Sequence, residues 1–134
     1  MYRAMGIDYI THSFKTAAAT DPAAKLYYND FNIERCCNAK INATYTLVKT
    51  VQAAGARVDG IGMQGHSRVG KSPSKKELMD TMARFSELVD EVAYTEIDIR
   101  HLKLPTPLPR TKNSKPKTTL RWWGPVSIRP SVSE

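Results

Sequence analysis

The run Tyr94-Thr95-Glu96-Ile97-Asp98-Ile99-Arg100 places two carboxylates two residues apart at the end of a short apolar segment. Side chains alternate along a strand, so Glu96 and Asp98 are expected on one side and Thr95 and Ile97 on the other. Two acids at one mouth suit nucleophilic or acid/base chemistry, because a buried pair costs free energy unless it is hydrogen-bonded or put to use. An acidic, solvated strand end is the plainer reading of the same spacing. Two more polar strand ends lie upstream, Asn29-Asp30 and Gln64 with His66. Any one of them is explained by the polarity of loops, but three together point to a site.

The elements that must carry these residues read as three helix-then-strand units. Ile7, Ile10, Phe14 and Ala17 recur at helical spacing, and Asp21-Pro22 ends the stripe. A strand follows over Lys25 to Asn29. Ile41, Tyr45, Val48 and Val51 share a second helical face that ends at Gly55, a residue suited to a left-handed cap, and Val58 to Gln64 is the next strand. Ser74-Lys75-Lys76-Glu77 has the form of a capping box ahead of the stripe Leu78, Met82, Phe85 and Val89, and Glu91 to Ile97 is the third strand. The strand starts near Lys25, Val58 and Glu91 are 33 residues apart, too far for hairpins and right for crossover units. Three parallel strands with crossover helices are therefore expected, with polar groups gathered at their carboxyl ends.

Composition divides the 134 residues unequally. Residues 1–100 hold 13 Lys and Arg against 12 Asp and Glu, while residues 101–134 hold 7 against 1 and also six of the eight prolines. The net charge of +7 thus belongs almost wholly to an irregular, basic, Pro-rich tail expected to be disordered. Lys112, Lys115, Lys117 and Arg121 with Trp122 and Trp123 could contact phosphates and stack bases. The body lacks a basic face to join them, so no nucleic-acid partner is expected. No apolar run reaches the roughly 18 residues of a membrane span, and the first residues lack the cationic start and apolar core of a secretory signal. Cys36 and Cys37 are neighbours, and a bridge between them would strain disulfide geometry, so they say little about compartment. Asn42-Ala43-Thr44 fits a glycosylation acceptor pattern, which matters only in a secreted protein.

Three segments together resemble glycoside hydrolase family 10, the endo-1,4-β-xylanases. Thr20-Asp21-Pro22-Ala23-Ala24-Lys25-Leu26-Tyr27-Tyr28-Asn29-Asp30-Phe31-Asn32-Ile33-Glu34 is similar to that family's fifth strand and its approach, with Phe31 where Tyr is more usual. Val58-Asp59-Gly60-Ile61-Gly62-Met63-Gln64-Gly65-His66 resembles the sixth strand, and Thr95-Glu96-Ile97-Asp98-Ile99 the seventh. The resemblance covers about residues 5 to 100 and implies an α/β fold, a partial TIM (β/α)8 barrel.

On this resemblance Glu96 is the catalytic nucleophile, His66 hydrogen-bonds it, and Asp98 orients the imidazole. Gln64 and Asn29 would line the sugar-binding cleft. Such a nucleophile must stay ionised, and donors around a carboxylate favour that form and hold its attack geometry. The implied reaction is hydrolysis of xylan with retention, with no metal or organic cofactor and no specific protein or membrane partner. Secretion is implied for the full-length family protein. Retention needs a second carboxyl, which the family carries in an Asn-Glu pair on its fourth strand. That segment would precede residue 1, and no Asn-Glu pair occurs here, so slow or no turnover is expected. Trp122-Trp123-Gly124 matches the eighth-strand motif only faintly. A remnant that holds xylan without cleaving it is the alternative, and open sheet edges with a bared inner face predict poor expression or association.

Overall fold

A computed structural model describes residues 5–100 of the chain. The expectations for residues 101–134, the irregular basic tail among them, lie outside the described residues. Helix α1 (Asp8–Thr20) leads into β1 (Tyr27–Asp30), α2 (Ala39–Ala53) into β2 (Gly60–Met63), and the short β3 (His66–Arg68) follows. Helix α3 (Lys75–Ser86) then leads into β4 (Glu91–Tyr94), and β5 (Asp98–Arg100) ends the described chain. Strands β1, β2 and β4 form one sheet in that order, parallel throughout, with Tyr27, Gly60 and Glu91 level at one end and Asp30, Met63 and Tyr94 at the other. This is the parallel crossover arrangement expected from the 33-residue spacing.

Local chemistry sets the helix ends. The Asn38 side chain accepts the Ile41 N–H at the start of α2. At its end Gly55 takes φ +82° while the Gly55 and Ala56 N–H groups reach back to the Gln52 and Val51 carbonyls. That pair of bonds is the left-handed cap which a residue with a Cβ would adopt only under strain. Ser74 and Glu77 exchange side-chain and backbone hydrogen bonds at the start of α3, completing the capping box. The loop after α1 is closed by Asp21, whose carboxylate accepts the Ala23 and Ala24 N–H groups.

The apolar core lies between the helices and one face of the sheet. Ile41, Val48 and Val51 of α2 and Phe85 of α3 meet Ile61, Met63 and Val92, with Tyr28 and Tyr94 against them. Period-two alternation puts the partners of those residues on the opposite face: Tyr27 and Asn29, Gly60 and Gly62, Glu91 and Ala93. On that second face Asn29 is exposed, Tyr27 and Glu91 are half-buried, and the two glycines are covered. The Tyr27 ring lies across Gly60, and its hydroxyl donates to Glu91, which also pairs with Lys25. Helix α1 has no fully buried residue; Ile10 and Phe14 of its stripe pack against the core, whereas Ile7 and Ala17 are exposed.

Two expectations are corrected. The third strand ends at Tyr94 instead of Ile97, and Asp98 begins a separate strand that pairs parallel with β3. Asp30 turns to the helix side, where Tyr28 and Lys40 bind it, and so does not belong to the polar mouth. No helix among the described residues is long and apolar enough to cross a membrane.

Candidate active site

The carboxyl ends of β1, β2 and β4 are tied together by backbone. The Gln64 N–H donates to the Asp30 carbonyl at 3.0 Å, and the Thr95 and Glu96 N–H groups donate to Met63 and Gln64, each at 3.0 Å. In a regular parallel ladder, alternate N–H groups face a given neighbour. Here two consecutive ones face β2, so alternation breaks just past β4. The side chains of Thr95 and Glu96, expected on opposite sides, consequently converge on the same partner. Thr95 Oγ1 donates to Asn29 Oδ1 at 2.9 Å, and Asn29 Nδ2 donates to Glu96 Oε1 at 3.3 Å. The two bonds agree on which end of the Asn29 amide is oxygen.

The other oxygen of the same carboxylate faces the imidazole. His66 Nε2 stands 3.4 Å from Glu96 Oε2, and His66 Nδ1 stands 3.1 Å from Asp98 Oδ1. His66 and Asp98 are level in the β3–β5 pairing, which is why the ring sits between the two acids. The Nδ1 contact is close but lacks hydrogen-bond alignment, leaving that buried nitrogen without an aligned partner. The acids are not buried: the Glu96 and Asp98 side chains are 46% and 47% exposed and His66 30%. Water therefore reaches the mouth and screens these charges, so hydrogen bonds and backbone geometry hold the arrangement more than ion pairing does.

Four of the five residues expected at the site are thus in direct contact: Glu96 with Asn29 and His66, and His66 with Asp98. Gln64 joins them through its backbone, which accepts from Glu96 and donates to Asp30. Sequence reasoning missed Thr95, because strict alternation turned it away. It also missed the role of Gly62, although Gly60-Ile61-Gly62 carries two glycines on one face of the central strand. A Cβ on Gly62 would stand 2.7 Å from Asn29 Oδ1 and 2.9 Å from Thr95 Cγ2, so the bare backbone is what lets Asn29 cross to Glu96. Among the described residues, no group of three or more His, Cys, Asp and Glu is placed to hold a metal ion.

Chemically, one oxygen of Glu96 receives an amide N–H while the other faces an imidazole, and the carboxylate opens to solvent. Such a group can attack an electrophilic carbon without moving its supports. Strand order, parallel pairing and a polar mouth at the carboxyl ends define a section of a (β/α)8 barrel.

Comparison with known proteins agrees. The sequence model of glycosyl hydrolase family 10 matches residues 1–121. Endo-1,4-beta-xylanase 5 of Pyricularia oryzae is 50% identical over 104 residues, which cover 78% of this chain and 25% of that protein. Endo-1,4-beta-xylanase 1 of Humicola insolens is 52% identical over 103 residues, covering 77% and 24%. The crystal structure of the family 10 xylanase from Bispora sp. MEY-1 with xylobiose superposes with a TM-score of 0.71 at 33% identity, over 79% of this chain and 33% of that one. This chain belongs to glycosyl hydrolase family 10. It spans about a quarter of the length of the curated relatives it matches.

Proposed function

We propose that this chain is the nucleophile-bearing section of an endo-1,4-β-xylanase, hydrolysing internal β-1,4-xylosidic bonds of xylan with retention. Glu96 is the attacking carboxylate, Asn29 and His66 hold it, Asp98 orients the imidazole, and Gln64 with Asn29 lines the sugar cleft. The observation that carries this reading is the approach of Asn29 and His66 to the two oxygens of one solvent-reachable carboxylate. Family membership supports xylan as the substrate class. Export of the full-length protein belongs to the same proposal.

In the reaction Glu96 Oε attacks the anomeric carbon as the glycosidic C–O bond breaks, and the departing oxygen keeps the bonding electrons. A second carboxyl roughly 5–5.5 Å away normally protonates that oxygen. Asp98 lies on the far side of the imidazole from Glu96, with the ring between the two carboxyls, so it is not that acid. Turnover of xylan by this chain alone is therefore slow or absent.

A fluorinated dinitrophenyl xylobioside tests the assignment, because its leaving group needs no proton. The expected result is release of dinitrophenolate and a covalent adduct on the peptide containing Glu96, both lost in Glu96→Ala. Folded protein that releases nothing, or an adduct elsewhere, overturns the nucleophile assignment. Binding to insoluble xylan without any adduct would instead favour a non-catalytic xylan-holding role.

A further inference from the structure

We propose that Glu34 is a positioning residue for His66: its buried carboxylate latches the left-handed turn at Gly65 from which the imidazole is presented to Glu96 and Asp98. The proposal rests on the reading of Glu96 and His66 given above.

Glu34 sits between β1 and α2, next to the fully buried Ile33, and is only 6% exposed. Burying a carboxylate is costly unless its oxygens are satisfied. Among the described residues no cation pairs with it. Its Oε1 instead accepts the Gly65 N–H at 2.8 Å in a buried bond, while its backbone carbonyl receives the Thr81 hydroxyl at 3.3 Å. The charge is felt beneath the site: burial first, and Glu34 second, push the Tyr94 hydroxyl up to about 12.

Gly65 is a poor place for slack. It takes φ +81°, and an added Cβ would meet the Tyr94 ring at 2.8 Å and Ile97 Cγ1 at 3.2 Å. The preceding Gln64 is held at both its N–H and its carbonyl, by Asp30 and Glu96. The Gly65 N–H is the next donor along the chain and would be orphaned in the interior without Glu34. His66 follows immediately, with no aligned hydrogen bond at Nδ1 to hold the ring by itself. The direction of the imidazole therefore depends on the turn as well as on Asp98, and the turn depends on Glu34. Being buried, Glu34 does not touch a sugar; it acts through His66.

The test compares wild type, Glu34→Ala, Glu34→Gln and Glu34→Asp, with Asp21→Ala as a control that loosens the loop after α1, at the opposite end of β1 from the turn. In Glu34→Ala the Gly65 amide should exchange at least about tenfold faster, the scale of one lost hydrogen bond to a charged acceptor. The imidazole nitrogen signals of His66 should change, and adduct formation at Glu96 should slow by a similar factor. Glu34→Gln keeps an acceptor and should restore all three. Glu34→Asp keeps the charge but withdraws the oxygen, so it should behave as Glu34→Ala and serves if that variant does not fold. Folded Glu34→Ala or Glu34→Asp with unchanged Gly65 exchange and unchanged His66 signals overturns the proposal, as does Asp21→Ala reproducing the effects. If wild type forms no adduct yet Gly65 and His66 respond to Glu34→Ala, the nucleophile reading fails while the positioning role stands.

Discussion

Replacing Gly62 with Ala isolates the contact on which the site geometry depends. Its Cβ would lie 2.7 Å from Asn29 Oδ1, 3.2 Å from Asn29 Cγ and 2.9 Å from Thr95 Cγ2. Both neighbours are committed, since Thr95 donates to Asn29 and Asn29 donates to Glu96, so relief by moving Asn29 breaks both bonds. Gly62 lies in the central strand with β1 and β4 on either side, which prevents the backbone from yielding instead. Overpacking of this kind costs about 1–3 kcal/mol, and each exposed hydrogen bond lost adds about 0.5–1 kcal/mol. Together they amount to about 2–5 kcal/mol, a large part of the roughly 5–15 kcal/mol that holds a domain folded. Urea unfolding should show the midpoint falling with the slope unchanged. Asn29→Ala removes the obstructing amide, so in the double variant the cost of Gly62→Ala should shrink by about 1 kcal/mol or more. Gly62→Ala should also slow adduct formation at Glu96 by displacing its amide donor. Stability within about 0.5 kcal/mol of wild type, with an unaltered adduct rate, would refute the reasoning that Asn29 reaches Glu96 only across a bare backbone.

Two further outcomes depend on pH. Glu77 is held below its ordinary value of 4.5, chiefly by the Ser74 backbone N–H and then by the Ser74 hydroxyl. A lowered folded value means that the unfolded chain binds the proton more readily, so this contribution is full above the ordinary value and lost as pH falls through the folded one. Glu77→Gln should therefore flatten the acid limb of Tm against pH, and an unchanged limb would contradict the capping box as its source. At the alkaline end, burial raises Tyr27, Tyr28 and Tyr94 to about 12 each, with Glu91, Asp30 and Glu34 respectively adding to the rise. Raised values mean that stability is intact below 10 and is lost as pH rises toward 12. Ionisation of Tyr27, Tyr28 and Tyr94 should then appear well above 10 in folded protein, and ionisation of all three near 10 would be the wrong result.

The parallel sheet was legible because helix stripes and strand starts recur at one interval, and a crossover helix is the only short route between parallel neighbours. The helix boundaries at Ser74 and Gly55 were legible because capping is local chemistry between residues close in sequence. What escaped was set by contacts distant in sequence. Thr95 and Glu96 both turn toward β2 because the Met63 and Gln64 carbonyls await them, and nothing in Tyr94-Thr95-Glu96-Ile97 announces that. His66-Ser67-Arg68 carries no apolar alternation and becomes a strand only against Asp98-Ile99-Arg100. Nothing in Phe31-Asn32-Ile33-Glu34 announces a buried acid, and the burial of Glu34 makes sense only beside the Gly65 N–H, 31 residues away. Asn29, Gln64, His66, Glu96 and Asp98 could be named because motif resemblance does not require knowing how the chain brings them together.

The two faces of the β1–β2–β4 sheet divide the labour of the chain between different residues. Ile61, Met63 and Val92 pack against the helices, while Asn29, Thr95 and Glu96 meet one another away from that core. Changes among the latter leave the packing against the helices alone, but they must still fit the inner face of the barrel. Gly60 and Gly62 are where that freedom ends: lacking side chains they belong to neither set, yet any substitution there is felt by Tyr27 or Asn29 at once. Heritable change in what this surface recognises should accumulate around those two positions and spare them.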